Sequence, residues 1–464
     1  MALAGLTLLK QSFRRLRLLF YNVLRVIENT VCTLLLCNPR RSHVIPMRLE
    51  YNSYYLSLFI TYQLQVVVSF GFFEESIMQK PVANILKIIK EFVSEARIEK
   101  AYTIASIIFL LISGSKISLY QLGIASSNKP IKLKSKEQKI RRVLAKFPIT
   151  SKIYAKAILT LFGSNSVELI IDRTNWMFGK TDINYLVLSI RWQNIAIPIY
   201  WIMLNNNGGN SSSKQRIELV NWFITNFTHV TIQNIYADRE FPSIEFISWL
   251  LHKDRNINFI FRTKNSIHAT DGNKKLSLAK LYSKLLHQQN KTKIEKLIRR
   301  IFGNRLFISA RLNDKNEFVF LVSNQLHQEP FALYSRRWNI ETMFGNFKTK
   351  SFNLESTHIT NYERLSALFM LMAISYSYCC KIGYIANNIK PIKIKKFRKP
   401  QSYNKLTSPE FTFFKYGFYL LKNFFDNFLC DSAVITRQLY QILNYPPENT
   451  VSKRSHIYRI IAAF

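Results

Sequence analysis

The chain has 464 residues, room for roughly two to four domains and at least one large buried core. A composition that is 48% hydrophobic and 14% aromatic supports globular folding and argues against disorder. Sixty-five Lys and Arg face 28 Asp and Glu, a formal charge of +37 that repels itself unless a polyanion neutralises it, so nucleic acid is the leading partner and an anionic membrane surface the second.

Residues 1–77 read as an N-terminal extension of unknown role, apolar and basic with few turn signals. Its opening, "MALAGLTLLKQSFRRLRLLF", places the basic cluster after the apolar stretch, the wrong order for a secretory signal. From Met78 to about residue 165, apolar residues recur at three and four spacing with a break at Ser113-Gly114-Ser115, which predicts a small helical domain. Within it "KISLYQLGIA" has the size of a helix in a helix-turn-helix, so DNA binding is expected there; a helical bundle without DNA contact fits the pattern as well. Between Lys129 and Lys146 eight Lys or Arg stand against the single acid Glu137, a run that reads as phosphate contact or as a solvated surface.

After "LFGSNS" the period turns from helical to extended. "VELIIDRTNWMF", "INYLVLSIRWQ" and "IAIPIYWIMLN" are strand-like runs rich in branched and aromatic residues. The loop "NNNGGNSSSK" lacks the Lys-Ser or Lys-Thr of a phosphate-binding loop and is read as a connection that caps the helix "QRIELVNWFITNF". A strand "IQNIYADRE", a helix "SIEFISWLLHK" and a strand "NFIFRTK" follow, so residues 166–264 predict a mixed α/β sheet covered by helices. Residues 265–326 interrupt the alternation as a β-rich insertion, with a basic helix and a hairpin turning at Asp314-Lys315-Asn316. Residues 327–389 return to helix. The apolar stretch "LSALFMLMAISYSYCC", about 16 residues, is under the roughly 20 needed to span a bilayer and is read as a buried core helix. Residues 390–464 form a basic C-terminal region, with six Lys or Arg and no acid between Lys390 and Lys399.

Five cysteines show no C-x-x-C pair and no matching histidine spacing, which argues against zinc and a disulfide scaffold and points to a reducing compartment. Adjacent Cys379 and Cys380 are expected as buried free thiols.

The stretch "LYSRRWNIETMFGNFKTK" carries the chemistry. Read as one helix at about 100° per residue, it projects Tyr334, Arg337, Glu341 and Lys348 within about 60° of one another, beside an apolar stripe of Leu333, Ile340, Phe344 and Phe347. Alone, Glu341 is best read as a salt-bridge partner of Arg337 four positions earlier. Two further carboxylates change that reading: Asp172 follows Leu169, Ile170 and Ile171 in "ELIIDRTNW", and Asp238 closes "NIYADREF" in the same way. An ionised acid there is costly unless a cation, hydrogen bonds or a helix terminus compensates it. If the two strands are neighbours, the acids crowd one another and a divalent metal is the natural compensation; hard oxygen ligands with no His or Cys nearby select Mg²⁺ or Mn²⁺. Glu240, two residues beyond Asp238, is read as serving the following helix rather than a metal.

The spacing of Tyr334, Arg337, Glu341 and Lys348, together with "IDRTNWMFGK", "ADREF" and "FNLESTHIT", resembles the bacterial insertion-sequence transposases of the DDE superfamily, insertion-sequence-four group, from about Met78 to about Lys399. The resemblance implies a ribonuclease H-like mixed sheet flanked by helices, with a β-rich insertion before the last catalytic helix. It implies Asp172, Asp238 and Glu341 as a catalytic triad holding two Mg²⁺, replaceable by Mn²⁺. Tyr334, Arg337 and Lys348 are implied as contacts to DNA. The implied reaction is cut-and-paste transposition: nicking at the element ends, transesterification and joining to target DNA. A homodimer on double-stranded DNA carrying terminal inverted repeats, in the bacterial cytoplasm with the nucleoid and not in a membrane, completes the expectation. A stand-alone nuclease of the same fold and an inactive DNA-binding remnant are the alternatives.

Two departures stand out. Studied members of the group stack a Trp of the insertion on a flipped base, and none of the six Trp here lies between Asn265 and Leu326, which leaves Phe318 or Phe320 to substitute. The first 77 residues match nothing in the family, so Met78 is a candidate true start.

Overall fold

The computed structural model describes residues 98–114, 117–125, 132–204, 209–271, 274–287, 292–294, 298–401 and 405–427. These all fall within one compact unit, Glu75–Phe464. The expectations for residues 1–77, for Met78, for Cys32, Cys37 and Cys430, and for the last part of the basic C-terminal region lie outside the described residues.

Among the described residues four helices precede the sheet: α1 (Ile98–Ile112), α2 (Leu119–Ala125), α3 (Leu133–Ala145) and α4 (Ser151–Phe162). α1 is apolar nearly all round, with Ala101, Ile104, Ala105 and Leu111 at 1% exposure or less, as befits a helix enclosed by neighbours. α3 is amphipathic: Ile140, Val143 and Leu144 are buried while Lys134 and Arg142 face solvent. α4 starts where the Thr150 side chain accepts from the Ile153 amide and stops at Gly163, whose φ of 61° suits a residue without Cβ. Its Tyr154 hydroxyl donates to the Pro198 carbonyl at 2.6 Å, tying this helix to the sheet.

The sheet is mixed. β1 (Ser166–Phe178), β2 (Thr181–Trp192) and β3 (Ile195–Leu204) form an antiparallel meander, and β4 (Thr231–Ala237) and β5 (Phe259–Thr263) add in parallel on the other side of β1. α5 (Ser213–Asn226) and α6 (Ile244–Leu250) are the crossovers that parallel strands require. α5 opens with a full capping box between Ser212 and Gln215, as its serine-rich approach predicts. Successive side chains of β3 show the two covered faces: Tyr200 stacks on Trp222 of α5 at 3.9 Å, while Trp201 donates through Nε1 to Ser366 of α10 (Tyr362–Ile389) on the opposite face. A large mixed sheet flanked by helices is the fold class expected, and it is consistent with a ribonuclease H-like arrangement.

Beyond β5 the chain does something the sequence did not predict. The hairpin of β10 (Asn304–Leu312) and β11 (Phe318–Ser323) turns at Asp314-Lys315-Asn316 as expected, but β11 pairs with β5 and continues the central sheet. Short strands β6 (His268–Asp271), β7 (Lys274–Ser277), β8 (Thr292–Ile294) and β9 (Arg299–Ile301) complete an 11-stranded sheet among the described residues. Where a basic helix was expected, the described residues hold α7 (Leu278–Leu281) and a 3₁₀ turn at Ser283–His287.

"LYSRRWNIETMFGNFKTK" is not one helix. α8 (Pro330–Ser335) and α9 (Trp338–Gly345) are joined through Arg336 and Arg337, whose amides donate to the carbonyls three residues back, Leu333 and Tyr334, at 3.1 and 3.0 Å. A π-helical turn, Asn346–Lys350, then widens the coil. Tightening followed by widening breaks the uniform 100° step on which a single polar face depended. α10 is also longer than the 16-residue stretch suggested, and although it is apolar and long enough to cross a membrane, 83% of its apolar window is buried inside the protein. It carries Cys379 and Cys380 as buried free thiols. A basic ribbon, β12 (Ile394–Gln401) with β13 (Lys405–Pro409), leads to α11 (Phe413–Asn427).

Candidate active site

Parallel pairing of β1 and β4 puts Ile171 opposite Ala237, so the next residues, Asp172 and Asp238, emerge side by side. Asp172 lies in the middle of the long strand β1, not at its end; what ends beside it is the pairing with β4. Neighbouring strands were the condition for the two acids to crowd each other, and it is met. The third acid, Glu341, comes from α9, which packs on that face of the sheet: Arg191 of β2 donates through Nε to Asn339 at 3.3 Å, and Met343 meets Ser189.

Arg337 joins the acids. Its side chain is 8% exposed, its Nη1 donates to Asp172 Oδ2 at 2.8 Å and its Nη2 to Glu341 Oε1. Its Nε is buried without a partner. Tyr334 lies under the guanidinium, 5.7 Å from ring centroid to Arg337 Cζ, and its hydroxyl donates to Asp238 Oδ1 at 3.1 Å. Arg262 of β5 approaches the same Asp238 oxygen at 3.7 Å. Five of the six residues singled out in the sequence therefore form one connected cluster. Lys348 does not join it: the π-helical turn carries its Nζ to the Asn175 carbonyl of β1 at 2.9 Å and to Glu355 at 3.0 Å, further along the strand.

The electrostatics follow from crowding. Burial pushes the Asp172 carboxyl up to about 7; Arg337 and the Arg173 amide oppose the rise, and the nearby charges of Asp238 and Glu341 add to it. Burial works against a charged Arg337, but Tyr334, Asp172, Asp238 and Glu341 outweigh it and hold the guanidinium cationic. Tyr334 is raised by burial, with Asp238 adding and Arg337 opposing, so its hydroxyl keeps its proton and remains a donor.

Several members of this neighbourhood were not foreseen. Glu168, four residues before Asp172 on the same face of β1, accepts from Arg191 Nη1 at 2.7 Å, from the Tyr236 hydroxyl and from Arg336. Strand period and the Arg-Arg doublet were the available signals. Glu240 does not serve the following helix, whose N-cap is Ser243; it takes a two-pronged contact from Arg173, Nε to Oε1 at 3.2 Å and Nη2 to Oε2 at 3.3 Å. Arg173 Nη1 also reaches the Gly209 carbonyl, and buried Arg216 grips the Phe241 carbonyl at 2.6 Å, so the turn carrying Asp238 is pinned from two sides. Phe320, a candidate for base stacking, is fully buried between Phe318 and Tyr282, and Phe318 is half-buried against it; packing consumes the rings that were to replace the missing Trp.

Three carboxylates with no His or Cys form a donor set suited to a hard divalent cation. Among the described residues no three such side chains stand as a ready cation cage; Arg337 lies between Asp172 and Glu341 and shares its single positive charge between them. The chemistry fits; the positive charge at the centre is supplied by the protein.

Residues 168–378 match the family model described as transposase DDE domain, which spans all six of these positions and supports a DDE transposase. Among solved structures, the piggyBac transposase in its synaptic complex with hairpin DNA is similar at 12% identity, with 84% of each chain covered and a TM-score of 0.37. No curated protein matches the chain.

Proposed function

We propose that the chain is a DNA transposase of the insertion-sequence-four group. It would nick DNA at terminal inverted repeats, transfer the strand by transesterification and join the element to target DNA by cut-and-paste, in a bacterial cytoplasm. One observation carries the reading: within a segment matching transposase DDE domains, Asp172 and Asp238 emerge side by side from adjacent parallel strands, one buried arginine clasps Asp172 and Glu341 of the covering helix, and Tyr334 beneath that arginine donates to Asp238.

Asp172, Asp238 and Glu341 are the residues that would hold two Mg²⁺, or Mn²⁺ in their place. When bound, such ions activate the attacking oxygen and stabilise the leaving oxygen of an in-line phosphodiester displacement. The chain's own side chains do the rest. Arg337, held cationic at the centre of the cluster, can exchange a carboxylate partner for a phosphate oxygen, to which its fork is geometrically matched. Tyr334 keeps a proton to donate to the same backbone. Lys348, displaced along β1, grips the duplex further from the acids and positions it. Two copies of the chain pairing two ends make the assembly.

The test incubates the full chain with DNA carrying the inverted repeats that flank its gene, with and without Mg²⁺, beside Asp172→Asn and Glu341→Gln. Nicking at the repeat boundary by the parent, and binding without cutting by both variants, is the expected result. Cleavage by either variant at the parental rate removes that residue from the mechanism. Binding by the parent with no Mg²⁺-dependent cutting would mark an inactive remnant, and cutting without joining a nuclease.

A further inference from the structure

Consecutive arginines, Arg336 and Arg337, sit at the break between α8 and α9 and reach two carboxylates of β1, Glu168 and Asp172. Those acids are four residues apart on one face of the strand, about 13 Å along it. Arg336 thus pulls toward the start of β1 and Arg337 toward its middle, and a helix start held at two separated points can neither slide nor rotate freely.

Glu168 is the fixed end of this brace. Its carboxylate is 7% exposed and bridges three elements: Tyr236 of β4, Arg191 of β2 and Arg336 of the helix break. Arg191 in turn donates to Asn339 in the first turn of α9, two residues before Glu341. Hydrogen bonds from Tyr236, Arg191 and Arg336 overcome the burial that would raise it, and the Glu168 carboxyl lies below its ordinary range, so the anchor stays charged.

We infer that Glu168 is a positioning residue, through which Arg336, Arg191 and Tyr236 fix the α8–α9 break and so set Arg337 and Glu341 beside Asp172 and Asp238. The assignment of a reaction to those acids rests on the function proposed above; the brace itself does not. A misplacement of about 1 Å at a reacting centre lowers rate by on the order of 100-fold, whereas binding spread over many phosphate contacts is insensitive to it.

Glu168→Gln keeps the size of the side chain and its contact with Tyr236 but removes the charge that holds two guanidinium groups. Two measurements on the full-length variant test the inference. In the metal-free protein, amides of Trp338–Gly345 should exchange with solvent at least about tenfold faster than in the parent while those of β1 to β3 are unchanged; equal exchange in α9 overturns the brace whether or not the chain cuts DNA. On inverted-repeat DNA, Mg²⁺-dependent nicking should fall about 10- to 100-fold with binding in Mg²⁺-free buffer held within about twofold. Parental nicking by the folded variant would overturn the positioning role. Arg336→Gln, which cuts the brace from the exposed side, should give the same pair of changes, and Arg336→Lys should restore part of the rate. If Glu168→Gln does not fold, the Arg336 pair decides by the same two readouts. Absence of nicking by the parent would defeat the functional reading and leave the exchange result standing.

Discussion

Glu168 and Asp172 occupy the same face of one strand, each facing an arginine from one doublet, yet their surroundings have opposite consequences. Glu168 receives donors from three elements, and its carboxyl is held low despite burial. Asp172 has one guanidinium that it shares with Glu341, one backbone amide, and two like charges close by, and its carboxyl rises to about 7. A fully compensated buried charge fastens structure, whereas one left in electrostatic tension is ready to take a new cation, and such perturbed groups concentrate at functional sites. β1 carries both kinds on one face, about 13 Å apart along the strand.

The contrast can be broken from either side. The largest effect is expected at the tense end: Asp172→Asn and Glu341→Gln should lower Mg²⁺-dependent nicking by on the order of 10³-fold or more, measured as single-turnover cleavage of end DNA. At the compensated end, Glu168→Ala leaves Arg191 and Arg336 without their shared anion and should destabilise the protein by about 3 kcal/mol in urea unfolding. A loss of stability in Asp172→Asn as large as that in Glu168→Ala would erase the distinction between the two acids. Lys348→Ala lies outside both environments. It should weaken end-DNA binding evenly across sequences and lower the slope of log affinity against log salt by about 1.

The two acids should also differ in their dependence on pH. Because Asp172 is raised above its unfolded value of roughly 3.9, the folded protein binds the proton more tightly than the unfolded chain. Its contribution is therefore most favourable below about pH 4 and is lost as the pH rises to about 7. Metal-free Asp172→Asn should melt close to the parent at pH 5 and above it at pH 8. A gap that shrinks with rising pH would reverse the sign. Glu168, held low, gives the opposite slope: its stabilisation is present above roughly pH 4 and is lost in acid.

Much of the sheet was legible because its signals are local. Short runs rich in Ile, Val, Leu and aromatic residues predicted β1 to β5, and the serine at the start of α5 predicted its cap. Asp172 and Asp238 stood out as acids closing apolar runs, and the parallel pairing that makes them neighbours follows from the helical crossover between their strands. What was not legible depends on contacts far apart in sequence. A uniform helix was the natural reading of residues 333–350, but Arg336 and Arg337 have to reach acids some 165 residues away, and the turn tightens to let them. The π-helical turn that removes Lys348 from the cluster has no signature in the side-chain pattern. Nothing in "RLFISARL" says that its hairpin will pair with β5 rather than fold apart, or that Phe320 will be buried there. Glu168 was passed over because a glutamate opening an apolar run looks like a solvated strand end until its partners are in place.

The central claim is that Asp172, Asp238 and Glu341 form one site for divalent cations once Arg337 releases Asp172 and Glu341. Anomalous diffraction at the manganese edge, from crystals of the full chain bound to its inverted-repeat DNA and soaked in Mn²⁺, tests it directly. The account predicts manganese peaks within about 2.5 Å of oxygens from all three side chains, with Arg337 turned to a phosphate. Manganese bound elsewhere, with Arg337 still clasping Asp172 and Glu341, would contradict it.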